Sequence, residues 1–149
     1  MKLIKASIED MNILVPLLDL YRQFYEQAGD LNSAKEFLSD RINKNESVIY
    51  LAIDEDNNRG MGFVQLYPAF STVSLKRIWI LNDLFVHEDY RKQGVAEALI
   101  EKSKELAMET NAKGLILETH ISNVSAQKLY DKTGFEKDGE YYSYYFTIK

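Results

Sequence analysis

The chain has no cysteine. That excludes disulfides, a thiolate nucleophile and a cysteine-based zinc site. Only two prolines and seven glycines punctuate its 149 residues. No linker or low-complexity tract stands out, so residues 1–149 read as a single domain, long enough to bury its own core. No apolar run approaches a membrane span. The opening Met1-Lys2-Leu3-Ile4-Lys5-Ala6-Ser7 is too short and too polar for a secretory signal. Together these absences lead us to expect a cytoplasmic protein with no membrane partner. Basic residues are in deficit: 18 Lys and Arg against 23 Asp and Glu leave a net charge of −5. A nucleic-acid partner, which usually demands a basic face, is disfavoured, while a cationic amine is compatible. The sequence gives no sign of a metal site. The Walker pattern and the three-glycine dinucleotide fingerprint are both missing, which argues against a nucleotide triphosphatase and a Rossmann dehydrogenase.

What is present reads as an alternation of strands and helices. Residues 2–5 read as a strand. Ser7, followed three positions later by Asp10, marks a helix start. Ile8, Met11, Leu14, Val15, Leu18, Tyr21, Phe24 and Tyr25 then recur at helical spacing. Pro16 is expected to bend or interrupt that helix, and Gly29 to end it. A second helix is expected over 33–43, with Ala34, Phe37, Leu38 and Ile42 on one face. Residues 47–54 and 62–67 read as a hairpin around the polar turn 54–60, 68–76 as a loop and 77–86 as a long apolar strand. A helix over 94–110 follows, with Val95, Ala98, Leu99, Lys102 and Leu106 at core spacing. Then come a strand over 114–119, a helix over 125–132 and a Tyr-rich final strand over 140–148. The order is α+β with a mixed sheet. The final strand is a candidate edge for pairing with a second copy, giving a homodimer.

The chemistry concentrates in two segments. In Leu84-Phe85-Val86-His87-Glu88-Asp89-Tyr90-Arg91-Lys92-Gln93-Gly94-Val95-Ala96 a strand passes through a polar turn into a helix start. Gly94 lets the backbone approach a bulky anion, and small Ala96 leaves the helix start uncrowded. First-turn N–H groups and the positive end of the helix dipole suit a phosphate or pyrophosphate. Arg91 and Lys92 add positive charge there. The plain alternative is turn chemistry. The second segment is Leu115-Ile116-Leu117-Glu118-Thr119-His120-Ile121-Ser122-Asn123, then Ala126, Leu129-Tyr130 and Thr133-Gly134-Phe135.

Together the two segments resemble the acetyl-CoA-binding core of the GNAT superfamily of N-acetyltransferases, most closely over residues 77–136. The resemblance implies the GNAT fold, a mixed sheet of six to seven strands flanked by about four helices. It also implies acetyl transfer from acetyl-CoA, as co-substrate, straight to a primary amine, with no covalent enzyme intermediate. On it, the backbone of Leu84, Phe85 and Val86 would bind the pantetheine arm, and an N–H near Val86 would polarise the thioester. Arg91, Lys92, Gln93, Gly94, Val95 and Ala96 would hold the pyrophosphate. Asn123 and Ala126 would join the cofactor site, Asn123 bonding the pantetheine chain unless it is only a helix cap.

Tyr130 stands seven residues after Asn123, as the family's general acid does. It would contact the cofactor and protonate the leaving thiolate, unless it is a core tyrosine. Glu118 matches a candidate base in the similar string of ribosomal-protein N-terminal acetyltransferases. A water chain and His120 are the alternatives. Trp79-Ile80-Leu81-Asn82-Asp83-Leu84-Phe85-Val86 is similar to the fourth strand of diamine and polyamine acetyltransferases, with Asn82 where those carry a Glu. Asn82 could orient a water but not accept a proton, and Asp83 could anchor a cationic substrate. Tyr21, Tyr25, Glu26, Tyr67, Phe70, Trp79 and Tyr142 fall in regions that line the substrate groove in this fold, and aromatics with carboxylates suit an ammonium. The leading expectation is therefore acetylation of a small cationic amine: a diamine, polyamine, amino acid or amino sugar. The alternatives are a protein N-terminus or lysine, or a catalytically silent acyl-CoA-binding module.

Overall fold

Val48-Ile49-Tyr50-Leu51-Ala52-Ile53 is six buried residues in a row. A strand reads that way when both faces of its sheet are covered. It forms β2 (Val48–Asp54) in a five-stranded sheet with β1 (Lys2–Lys5), β3 (Arg59–Ser71), β4 (Lys76–Val86) and β5 (Leu115–Ile116), in that spatial order. Neighbours are antiparallel except β4 and β5, which are parallel. The sheet is mixed and the class α+β, as expected. The computed structural model describes residues 1–149, which fall into two compact units, Met1–Glu118 and Thr119–Lys149.

In the first unit, α1 (Met11–Phe24) and α2 (Leu31–Asn43) cover one face of the sheet. Leu14, Leu18 and Leu38 pack there with Ile49, Leu51, Phe63 and Phe85. On the other face lies α3 (Val95–Glu109). The Lys102 ammonium sits 5.9 Å over the Tyr50 ring, and Trp79 Nε1 donates to Thr110 Oγ1 at 2.9 Å. The second unit contains α4 (Val124–Lys132). No helix is long and apolar enough to cross a membrane.

Several expectations need correction. The Ser7–Asp10 box caps a short 3₁₀ turn, Ile8–Asp10, which runs into α1. Pro16 does not interrupt α1. Its missing N–H orphans only the Asn12 carbonyl, and both residues are exposed, so water can serve that group. The helix stops at Phe24 rather than at Gly29, with Glu26 in the left-handed region. The helix α2 starts at Leu31, earlier than read, because Asp30 caps it by accepting from the Ser33 N–H. Phe37 is exposed on α2, under the Arg41 guanidinium. On α3, buried Ser103 rather than Lys102 holds a core position, and its hydroxyl donates to the Leu99 carbonyl at 2.9 Å.

Residues 68–71 belong to β3 rather than to a loop. Pro68 is tolerated there because β2 pairs only as far as Leu66, so the lost donor lies on an edge. The strand over 114–119 shrinks to Leu115–Ile116, and 140–148 is no strand at all. A strand exists through its ladder, and none pairs with 140–148. The sheet therefore has five strands, not six or seven.

Candidate active site

One irregularity organises the first unit. Between β3 and β4, Gln65 faces Asp83 and Leu66 faces Leu81. Asn82 is the extra residue, a β-bulge. A bulge shifts the alternation of side chains between faces. Before it, Trp79 points to the α3 side, where it bonds Thr110. After it, Phe85 points to the α1–α2 side and meets the Tyr21 ring at 5.9 Å. Trp79 is therefore buried against α3 and is not part of an aromatic groove.

The bulge turns Asp83 towards Tyr21. Asp83 is only 9% exposed, and none of the ion pairs in the structure involves it. Its Oδ2 accepts from Gln65 Nε2 at 2.8 Å and from Asn82 Nδ2 at 3.1 Å. The Tyr21 phenol lies within electrostatic reach of the Asp83 carboxylate. Burial raises the pKa of that phenol far above the usual tyrosine value, and the charge of Asp83 raises it further. The Tyr67 phenol is pushed up to about 12, first by burial and then by Asp83. Tyr25 stands edge-on to Tyr21, with ring centroids 5.1 Å apart. Thus Tyr21, Tyr25, Asn82 and Asp83 gather in one place. Phe70, 73% exposed under the Arg77 guanidinium, has no bond to that cluster, and Tyr142 is exposed in the second unit. Sequence reasoning missed Gln65. Its signal was available: it is the lone polar residue inside the buried run Met61–Leu66.

The end of β4 is open along one edge. Its pairing with β5 stops at Ile80 and Ile116, yet β4 runs on to Val86. The His87 N–H donates to the Met61 carbonyl across β3. By alternation, the main-chain groups of Leu84 and Val86 then face the edge that β5 has left. The Val86 carbonyl already accepts from Arg91 Nε at 3.2 Å. Arg91 therefore ties the end of the strand to the turn that follows.

That turn ends at Gly94, which caps α3 in the left-handed region at φ 81° with no side-chain cap. Lys92 is left-handed too, and Gln93 braces the turn by donating to the Asp89 carbonyl at 3.2 Å. A Cβ built on Gly94 would meet nothing within 4 Å. The first turn of α3, with Val95 and Ala96, thus lies beside open space and uncapped by any side chain. A helix N-terminus in that state suits an anion. Glu118 is exposed and lies two residues past β5, not on the strand as expected.

In the second unit, Asn123 is the N-cap of α4, its Oδ1 accepting from the Ala126 N–H at 3.1 Å. The C-terminus of α4 closes through left-handed Gly134. The Gly134 N–H bonds the Asp131 carbonyl, and the Phe135 N–H bonds the Tyr130 carbonyl. That geometry brings the last apolar residue back onto the helix, and the Tyr130 and Phe135 rings meet at 5.6 Å. Tyr130 is half-buried in this arrangement. His120 Nδ1 is engaged by the Ser122 hydroxyl and N–H.

The model of the Acetyltransferase (GNAT) family matches residues 14–135. Two relatives are similar over most of their length. "Uncharacterized N-acetyltransferase YhfO" of Bacillus subtilis is 43% identical over 144 residues, 97% of this chain and 95% of that protein. A "Probable acetyltransferase" of Haemophilus influenzae is 39% identical over 118 residues, 79% of this chain and 80% of that protein. A crystal structure of a probable acetyltransferase superposes with a TM-score of 0.95 at 42% identity, covering 100% of this chain and 99% of that one.

Proposed function

This chain belongs to the GNAT family of acetyltransferases and has its fold, and on that premise we propose that it moves an acetyl group from acetyl-CoA to a small cationic primary amine. Enzymes of this family use acetyl-CoA as co-substrate. The observation that carries the reading is the pairing, within one unit, of an open β4 edge with an uncapped, Gly-led α3 start. The residues present fit the two ends of such a molecule. A phosphate-bearing group needs unpaired donors and room, which the α3 start offers beside Gly94. A pantetheine arm needs main-chain partners, which Leu84 and Val86 offer.

In this reading Lys92, Gln93, Gly94, Val95 and Ala96 hold the pyrophosphate. The backbone of Leu84, Phe85 and Val86 holds the arm, and Arg91 fixes the strand end. Asn123, Ala126 and Tyr130 take their roles from the second motif. When bound, acetyl-CoA supplies an activated acetyl group. The chain's own groups handle protons. Glu118, exposed and on the side of the motif where the family carries a base, takes the amine proton directly or through water. The Tyr130 hydroxyl supplies one to the departing sulfur. Tyr21, Tyr25, Asn82 and Asp83 receive the amine. The same reading gives a cytoplasmic protein that pairs with a second copy through its Tyr-rich end.

Free-thiol release with acetyl-CoA and a panel of amines tests this. Release with polyamines, amino acids or aminoglycosides, and not with short peptides, is the expected result. Release confined to peptides would move the substrate to protein N-termini or lysines. Acetyl-CoA binding without release from any amine would leave a silent binding module.

A further inference from the structure

The Asp83 cluster has a chemical asymmetry. Gln65 is only 1% exposed. Its amide orientation is fixed: Nε2 donates to Asp83 Oδ2 at 2.8 Å, and the flipped amide would set oxygen against oxygen. Its Oε1 is thereby committed as an acceptor, and it is buried with no hydrogen-bond partner. A buried acceptor without a donor costs free energy, and native structures rarely keep one without a use. Beside it stands a buried carboxylate held only by neutral donors. A buried charge without a counter-charge is similarly unusual. Both groups lack the same thing, a positively charged hydrogen-bond donor. The surroundings suit one: the Tyr21 and Tyr67 phenols lie close enough to Asp83 for its charge to raise their pKa, and their oxygens are further neutral acceptors beside the carboxylate.

We propose that Gln65 and Asp83 form the seat of the substrate's ammonium, Asp83 giving the charge and Gln65 Oε1 an acceptor that selects it. The protein then takes amines that arrive as cations and discriminates against neutral amines of similar size. Gln65 is a specificity-determining residue that reads the N–H donors. The Asn82 bulge is what makes the seat, because it turns Asp83 to the face that Gln65 and Tyr21 share. This rests on the acetyl-transfer reading for its role in catalysis, but not for its binding.

The test has two readouts. Calorimetry of spermidine, putrescine and 2,2,2-trifluoroethylamine, an amine too weakly basic to be charged at neutral pH, against the wild-type protein, Asp83→Asn and Gln65→Met measures the seat without turnover. Thiol release with the same amines gives KM and kcat. Binding of a cationic amine that weakens at least tenfold in Asp83→Asn and at least threefold in Gln65→Met is expected. The rise should fall on the amine KM, with acetyl-CoA affinity within twofold of wild type. Equal amine affinity in all three proteins would overturn the seat, as would no cationic amine binding the wild type, or a preference for a neutral amine. If Asp83→Asn does not fold, the near-isosteric Gln65→Met decides alone. Amine binding without thiol release would sink the acetyl-transfer reading and leave the seat standing.

Discussion

Single side chains carry the sharpest consequences. Tyr130→Phe removes one hydroxyl and keeps the ring that packs on Phe135. If that hydroxyl is the general acid, kcat should fall about 100-fold, with acetyl-CoA affinity nearly unchanged. Equal turnover in both proteins would remove Tyr130 from the role. Gly62 makes a different point. A Cβ there would lie 2.5 Å from the Phe85 carbonyl oxygen, which is backbone and cannot swing away. Gly62→Ala should therefore cost about 2 kcal/mol in denaturant unfolding, as overpacking does.

Tyr67 links the cluster to pH. Its phenol is held neutral up to about 12, above the usual value near 10. The folded state keeps a proton that the unfolded chain has released. Its contribution to stability is intact below the unfolded pKa and drains away as pH rises towards the folded one. Wild-type stability should thus fall more steeply over that alkaline window than that of Tyr67→Phe. Parallel curves from urea melts across the window would contradict the shift. At this scale the sequence was partly legible. Asp83, Tyr21 and Asn82 could be nominated from a strand pattern. Gln65 stood out in sequence only as a lone polar residue in an apolar run, and its use as an acceptor lies in an orphaned oxygen that the register reveals.

Elements were more legible than residues, and the failures share a cause. Strand β1, helix α1 and the start of α4 follow from local signals: apolar runs, a capping box, an Asn cap. What went wrong depended on neighbours. Pro68 sits in a strand because β2 ends before it. The region after Ile116 loses its strand because β4 is its sole ladder partner. The bulge at Asn82 leaves no mark in the local pattern, since Trp79, Leu81, Asp83 and Phe85 alternate evenly in sequence while the fold turns the two ends of that run to opposite faces. The α3 start shows the same dependence in a testable form. At φ 81°, any residue but glycine is strained, at about 1 kcal/mol. Space for a Cβ is free, so Gly94→Ala should fold, lose about that much stability and keep some cofactor affinity. Gly94→Trp should fold as well but fill the space beside the first turn of α3. Calorimetry with acetyl-CoA should then show no binding. Unchanged affinity in folded Gly94→Trp would place the pyrophosphate elsewhere.

At the scale of the whole molecule, the end of the chain is out of balance. Tyr141, Tyr142, Tyr144, Tyr145, Phe146 and Ile148 are between 80% and 93% exposed. The segment has the composition of a strand, with aromatic residues on both of its faces, but no ladder within the chain receives it. Leaving large apolar side chains of this kind in water forgoes the free energy of burying them, and contiguous exposed patches mark surfaces that bind something. An unpaired β-segment most readily finds an unpaired edge, and β5 presents one in every copy of this chain. On the proposed pairing, a second copy would supply both the edge and a matching segment, which a symmetric dimer would use twice. Light scattering across a concentration series should give a dimer. Replacing Tyr142 and Tyr144 with Glu puts charge into that contact and should shift the protein towards monomer, with a melting temperature that no longer depends on protomer concentration. A wild-type protein that stays monomeric throughout the series would sink the pairing, since segments and edges would then coexist in solution without using each other.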